Sequence, residues 1–339
     1  MRVRVFLLAM CVAATVSAQE RPASKAPRLI SRIEVIGERA SPPIWELQRG
    51  NKTLWILGTL YPVPRSIPVD PTAIDRRIAQ SQVVIGLPGL ALGEDVGFFR
   101  GLFLIPSLRK SQYNPGRKTL RDVLPPATYA RWLKARARWL DDDEDKDRLR
   151  PLNASWELWQ AALGDSGLLP MRSIDVRKTA KRHDVPFLDA RLKVSFPSPR
   201  KAIKRFNAEQ LADVPCLVET LDRLDTDLPN MRPRAEAWSV GDVAHLRALP
   251  FHDQAPACIA ALGSSEVAHE RGIHDLQGQL RARWLEETRK AFASNDRVFA
   301  SLPVQMLLDD AGVLRALQAD GFVVVPQALP PAAVSPATR

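Results

Sequence analysis

Five histidines, His183, His245, His252, His269 and His274, are the side chains here best suited to hold a metal ion or move a proton near neutral pH. Two of them nearly form a zinc-hydrolase signature. His269-Glu270 and His274 approach the pattern His-Glu-x-x-His, in which histidines four residues apart share one helix face and the glutamate acts as general base. Here the two histidines are one residue further apart, which at ~100° per residue turns the second ring about 140° from the first. The set therefore reads as two surface histidines on a charged helix, with Glu270 kept as a candidate base. Serine chemistry finds no Gly-x-Ser-x-Gly elbow, and Gly263-Ser264-Ser265 reads as a helix start. Nucleotide binding has no support, since neither a Walker loop nor Gly-x-Gly-x-x-Gly is present. Asp141-Asp142-Asp143-Glu144-Asp145 lacks the glycine and closing glutamate of a calcium loop, so it reads as a solvated link between helices.

The cysteines depend on compartment. Arg2 and Arg4 precede the apolar run Val5–Ala13, which is too short to span a bilayer. Val16-Ser17-Ala18 then offers small residues to signal peptidase. Residues 1–18 are expected to be a signal peptide, cleaved between Ala18 and Gln19. Cys11 is an alternative lipid-attachment site that the bulky Met10 disfavours. No later stretch supplies the ~18 consecutive apolar residues of a spanning helix. The expected product is periplasmic or secreted, with no transmembrane segment. In that setting Cys216 and Cys258 are expected to form a disulfide, worth roughly 3–4 kcal/mol in the chain-entropy model. Two buried free thiols are the alternative. The net charge is +10, yet lysines and arginines interleave with acids and form no stripe with aromatic partners. A solvated basic surface is expected, not a nucleic-acid site.

The elements that would position a site follow an α/β rhythm. Residues 19–41 begin as a polar, proline-containing lead-in, and residues 327–339 form a Pro/Ala-rich tail. Between them, residues 42–326 read as a single domain. Ile44–Gln48 and Thr53–Leu57 form a hairpin closed by Gly50-Asn51. Helices are expected over Ile74–Ser81, Phe98–Leu108 and Ala127–Leu140, and another begins at Asn153 as cap, with Trp156 and Trp159 in the core. Val83–Ile85 is a buried strand, and Gly86–Gly93 a loop. Ile174–His183 is a helix, and Val185–Asp189 is a strand ending in a carboxylate. From Asn207, as a cap, to Ala293 the pattern is nearly all helical, with Glu266–Ala293 one long amphipathic helix. Strand, helix and strand close the domain over Val298–Met306, Gly312–Asp320 and Gly321–Pro326. The fold class is α/β: a mixed sheet from the N- and C-terminal βα segments, with a mainly helical middle.

Several segments carry a family resemblance. Pro43-Ile44-Trp45-Glu46-Leu47, a glycine turn, then Leu54-Trp55-Ile56-Leu57-Gly58-Thr59-Leu60 resemble the opening of TraB/GumN proteins. Ala237-Trp238-Ser239-Val240-Gly241-Asp242 is similar to that family's aromatic-x-x-Gly-Asp segment. Gly312-Val313-Leu314-Arg315-Ala316-Leu317 with Gly321-Phe322-Val323-Val324 resembles its closing strand. The resemblance implies a metal-dependent, peptidase-like site of the kind proposed for the Tiki relatives. Two Gly-x-x-His segments would bring histidines to a divalent metal, and a carboxylate after an early strand would support the metal or its water.

This chain departs from that pattern at each position. Gly58 and Thr59 remain, but Tyr61 stands in the first histidine slot, and a phenol with pKa ≈ 10 binds divalent metals poorly at neutral pH. Gly86-Leu87-Pro88-Gly89 follows the early strand with no acid. In the second segment Pro303 takes the glycine slot and Met306 the histidine slot, with Gln305 the alternative under a one-residue shift. A thioether is too soft for a hydrolytic metal. Asp189 alone remains as a plausible site acid. The expectation is a non-catalytic protein with no cofactor, whose cleft around Gly58, Thr59 and Tyr61 binds a peptide or an envelope protein. The alternative is a hydrolase with a relocated site on Asp189, Glu219 or the His269/Glu270/His274 set.

Overall fold

The structure is a computed structural model that describes residues 40–92, 105–309 and 312–325. Its strands are β1 (Ile44–Arg49), β2 (Lys52–Thr59), β3 (Val83–Ile85), β4 (Leu90–Leu92), β5 (Phe187–Leu188), β6 (Leu192–Val194), β7 (Arg297–Pro303) and β8 (Val323–Val325). The hairpin β1–β2 runs in register from Ile44 opposite Leu57 to Arg49 opposite Lys52. Its two-residue link needs a glycine, because Gly50 holds φ at 62°, a region that disfavours side chains with a Cβ.

Six strands form one mixed sheet in the order β5-β3-β7-β2-β1-β8. β7 inserts between β2 and β3 and runs parallel to both, and β5 is parallel to β3. β1 is antiparallel to its neighbours β2 and β8. This is the expected sheet of both chain ends. β2 is covered on both faces, which explains why it reads as a continuous apolar run. Leu54 and Ile56 pack with Val298, Ala300 and Phe292 on one side. Trp55 and Leu57 pack with Ile74 and Ile78 on the other. No helix among the described residues is long and apolar enough to cross a membrane.

The middle of the chain builds a separate helical core. Helices Pro126–Trp139, Pro151–Asp165 and Val214–Thr226 bury Trp132, Leu158, Trp159, Leu217 and Leu221 against one another. The sulfurs of Cys216 and Cys258 lie 1.99 Å apart, a bonded distance. They join helix Val214–Thr226 to helix Ala255–Gly263.

Several local expectations are corrected. The loop after β3 contains a short strand, β4, paired in parallel with β6 as a two-stranded sheet. The helix expected over Phe98–Leu108 lies partly outside the described residues, which show helix at Ile105–Lys110. Asn153 is not a cap: the helix begins two residues earlier at Pro151, whose fixed φ and missing N–H suit a first turn. Trp156 is 59% exposed, off the buried stripe of Ala154, Leu158 and Trp159. Asn207 sits in the last turn of helix Pro199–Ala208 and donates to the Ser107 carbonyl. The long helix over Glu266–Ala293 is broken. Glu266–His269 ends before Gly272 at φ 72°, and Asp275 caps a new helix, Leu276–Ser294, by accepting from the Gly278 N–H.

Candidate functional site

Four parallel strands, β5, β3, β7 and β2, end at one edge of the sheet, the edge where open α/β folds form their ligand crevices. The parallel register places Gly58 beside Leu302 and Thr59 beside Pro303. Two motifs from opposite ends of the chain, Gly58-Thr59-Leu60-Tyr61 and Pro303-Val304-Gln305-Met306, therefore meet side by side. Sequence spacing could not show this, since more than two hundred residues separate them.

The edge is filled from within. Trp238, 2% exposed, donates its indole N–H to the Gly58 carbonyl at 2.6 Å. A Cβ at position 58 would come within 2.6 Å of the Trp45 ring and 3.1 Å of Val304, so glycine is needed for this close approach. Trp284, fully buried, donates to the Gly86 carbonyl at 3.1 Å. A Cβ at position 86 would meet the Phe187 ring at 2.7 Å, which leaves no room for an acid directly after β3 unless Phe187 moves. Thr59 donates its hydroxyl to the Leu302 carbonyl at 3.1 Å, and Ser301 donates to Ile85 at 3.3 Å. These bonds tie side chains to strand-end carbonyls.

The local sequence explains how Trp238 is held. It lies in the last turn of helix Met231–Ser239. Gly241 ends that helix at φ 74° with its N–H on the Trp238 carbonyl, and the Asp242 side chain caps helix Val243–Ala248 through the His245 N–H. The aromatic-x-x-Gly-Asp segment is thus a turn that aims an indole at the end of β2.

The remaining expected residues are dispersed. Tyr61 is 52% exposed, with a cis peptide to Pro62. Its loop is pinned by backbone bonds from Arg172 to Val63 and from Arg65 to Pro170. Met306, with Asp275, Arg281 and Asp309, lines a small cavity of about 230 Å³, whose lining includes neither Tyr61 nor Asp189. Asp189 stands three strands from β2, about 14 Å at ~4.8 Å per strand. Its carboxylate is held by Arg191 at 2.6 and 2.8 Å, with Arg177 at 3.8 Å. Glu270 is gripped by Arg205 at 2.6 and 2.7 Å. His269 ends the first helix and His274 lies in the break before the second, ring centroids 5.3 Å apart.

The bidentate contact from Arg191 lowers the Asp189 pKa from its ordinary value to about 2. A depressed carboxylate pKa contributes stability that is present above its unfolded value and lost as pH falls toward the folded one. A carbon-detected titration of Asp189 should therefore give a midpoint near 2, and Arg191→Ala should return it toward ~3.9. A wild-type midpoint near ~3.9 would contradict the arginine contact.

Some groups were not legible beforehand. Arg191 was signalled only by its position two residues after Asp189. Trp284 lay within an amphipathic helix that reads as ordinary core. Glu219, named only for a relocated site, meets Asp222 and His252, a convergence that no spacing announces.

The geometry defines an α/β protein whose N- and C-terminal strands share one carboxyl edge, where two buried tryptophans bond strand-end carbonyls. A model of the TraB/PrgY/gumN family matches residues 43–326, most of the sequence. The chain belongs to that family. No curated protein and no solved structure matches it.

Proposed function

We propose that this is an exported, non-catalytic member of its family, which binds a peptide or another envelope protein beside Tyr61. The observation that carries the reading is at the carboxyl edge, where the buried Trp238 and Trp284 bond the carbonyls of Gly58 and Gly86. The family resemblance, for its part, assigns Tyr61 and Met306 to histidine positions. A divalent metal implied by the family does not fit there. The positions offer a phenol and a thioether, and the nearest strand-end acid is committed to Arg191. What stays available is the exposed Tyr61 ring on a pinned loop, a rigid aromatic with a polar tip. Export is supported by the basic and apolar start of the sequence and by the cysteine pair at bonding distance.

The test is incubation of the purified protein with a peptide library, with and without added Zn²⁺, Mn²⁺ or Co²⁺, followed by mass spectrometry of retained and free peptides. The expected result is retention without cleavage, with retention lost in Tyr61→Ala. Metal-dependent cleavage overturns the non-catalytic reading. Absence of both retention and cleavage overturns the binding reading.

A further inference from the structure

Away from the strand edge, we infer that Glu219, Asp222 and His252 form a binding site for one first-row divalent cation, of which zinc is the best fit. One ligand atom from each residue lies within 4.8 Å of the others, the one such group of three among the described residues. Glu219 and Asp222 are three residues apart on helix Val214–Thr226 and so share a face. His252 comes from the segment that leads into helix Ala255–Gly263.

The His252 contact is not an ordinary hydrogen bond. Its buried Nε2 lies 2.6 Å from a Glu219 oxygen, an ion-pair distance, but forms no hydrogen bond. A buried ring nitrogen that makes no hydrogen bond is costly, so an ion that supplies a bond there is favoured. Two ligands at ~2.0–2.1 Å in a tetrahedral shell stand ~3.3 Å apart, so Glu219 needs to withdraw by less than ~1 Å. Its side chain, 37% exposed, can do so.

Two features hold the halves of the site together before any ion arrives. Cys216, one turn before Glu219, is bonded to Cys258, six residues after His252. Arg234 ties the Pro250 carbonyl to the buried Asp227 at the far end of the same helix. Arg131 is the competing cation. It contacts Asp222 at 2.7 Å and Asp225 at 3.0 Å, and can keep Asp225 when Asp222 turns to a metal. One imidazole nitrogen with two carboxylates suits zinc and its neighbours. Calcium and magnesium favour all-oxygen shells with more ligands. Water completes the coordination, since Glu219 and Asp222 remain partly exposed.

The test is zinc titration of the full chain by calorimetry after chelator treatment, with unfolding of each protein in chelator as the control for folding. Wild type is expected to take up one equivalent, and His252→Ala and Glu219→Gln to bind about 100-fold more weakly. Zinc should raise the Tm of wild type and leave that of His252→Ala unchanged. Tyr61→Ala should bind zinc as wild type does, which separates this site from the proposed binding surface. Absence of zinc uptake by wild type, or unchanged uptake by Glu219→Gln and His252→Ala, overturns the assignment.

Discussion

Trp238→Ala should destabilise the protein by about 3–5 kcal/mol through lost burial and the cavity it leaves. A further ~1–3 kcal/mol follows where the Gly58 carbonyl loses its donor. The ring is 2% exposed and lies in the main core with Trp45, Val304 and Leu307, from two segments distant from it in the chain. No single neighbour can collapse into its place. Trp238→Phe separates the two contributions, because it keeps most of the apolar volume and removes the indole N–H. Urea unfolding is expected to place Trp238→Phe about 1–3 kcal/mol below wild type, with Trp238→Ala well below that. An alanine variant within ~1 kcal/mol of wild type would show that the strand edge is open rather than packed, and would remove the main support for the non-catalytic reading.

The structure bears out the parts of the fold that rest on local chemistry. The hairpin was visible because a Gly-Asn pair between two apolar runs allows little else, and the mixed sheet followed from βα patterns at both chain ends. Cys216 and Cys258 could be paired because the only other cysteine, Cys11, falls in the expected signal peptide. Helix boundaries were harder. Asn153 and Asn207 look like caps in isolation, yet Pro151 and the packing around Ser107 decide where those helices begin and end. Trp156 illustrates the same limit: apolar type alone does not distinguish the buried stripe from the residue beside it.

The candidate site was legible as a pair of motifs but not as an arrangement. The family resemblance singles out Gly58-Thr59-Leu60-Tyr61 and Pro303-Val304-Gln305-Met306. It does not show that β7 inserts beside β2, because that neighbour relation arises from tertiary pairing. Nor does it show that Trp238 and Trp284 close the edge, since indoles in amphipathic helices usually mean core alone. Asp189 looked like a free strand-end acid, and only the side-chain geometry reveals that Arg191 and Arg177 claim it.

Asp227→Ala is the second large effect, and it bears on the proposed cation site. Asp227 is fully buried between two arginines, Arg234 at 2% exposure and Arg223 at 8%. Arg234 bonds one carboxylate oxygen and Arg223 the other, the latter at 3.2 Å. Burial pulls the Arg223 pKa below its ordinary value, and the Asp227 charge opposes that pull. Removing the carboxylate leaves two guanidinium groups in the interior with ring faces, a carbonyl and the charge of Asp253 near Arg223. Arg223 lies 4.1 Å from the Trp159 ring centroid, and Arg234 lies 4.9 Å from that of Phe251. Breaking a buried pair in this way costs about 3–5 kcal/mol, mostly the penalty of uncompensated charge. Arg234 also holds the Pro250 carbonyl, and so the segment that carries His252. The variant should therefore lose zinc affinity as well as stability. Arg223→Met with Asp227→Leu removes both charges of one pair and should recover part of the stability, though Arg234 is left without its acid. Denaturant unfolding reads the first effect and zinc calorimetry the second. A single variant within ~1 kcal/mol of wild type would mean that water reaches this cluster and that the helix end is not a dry interior.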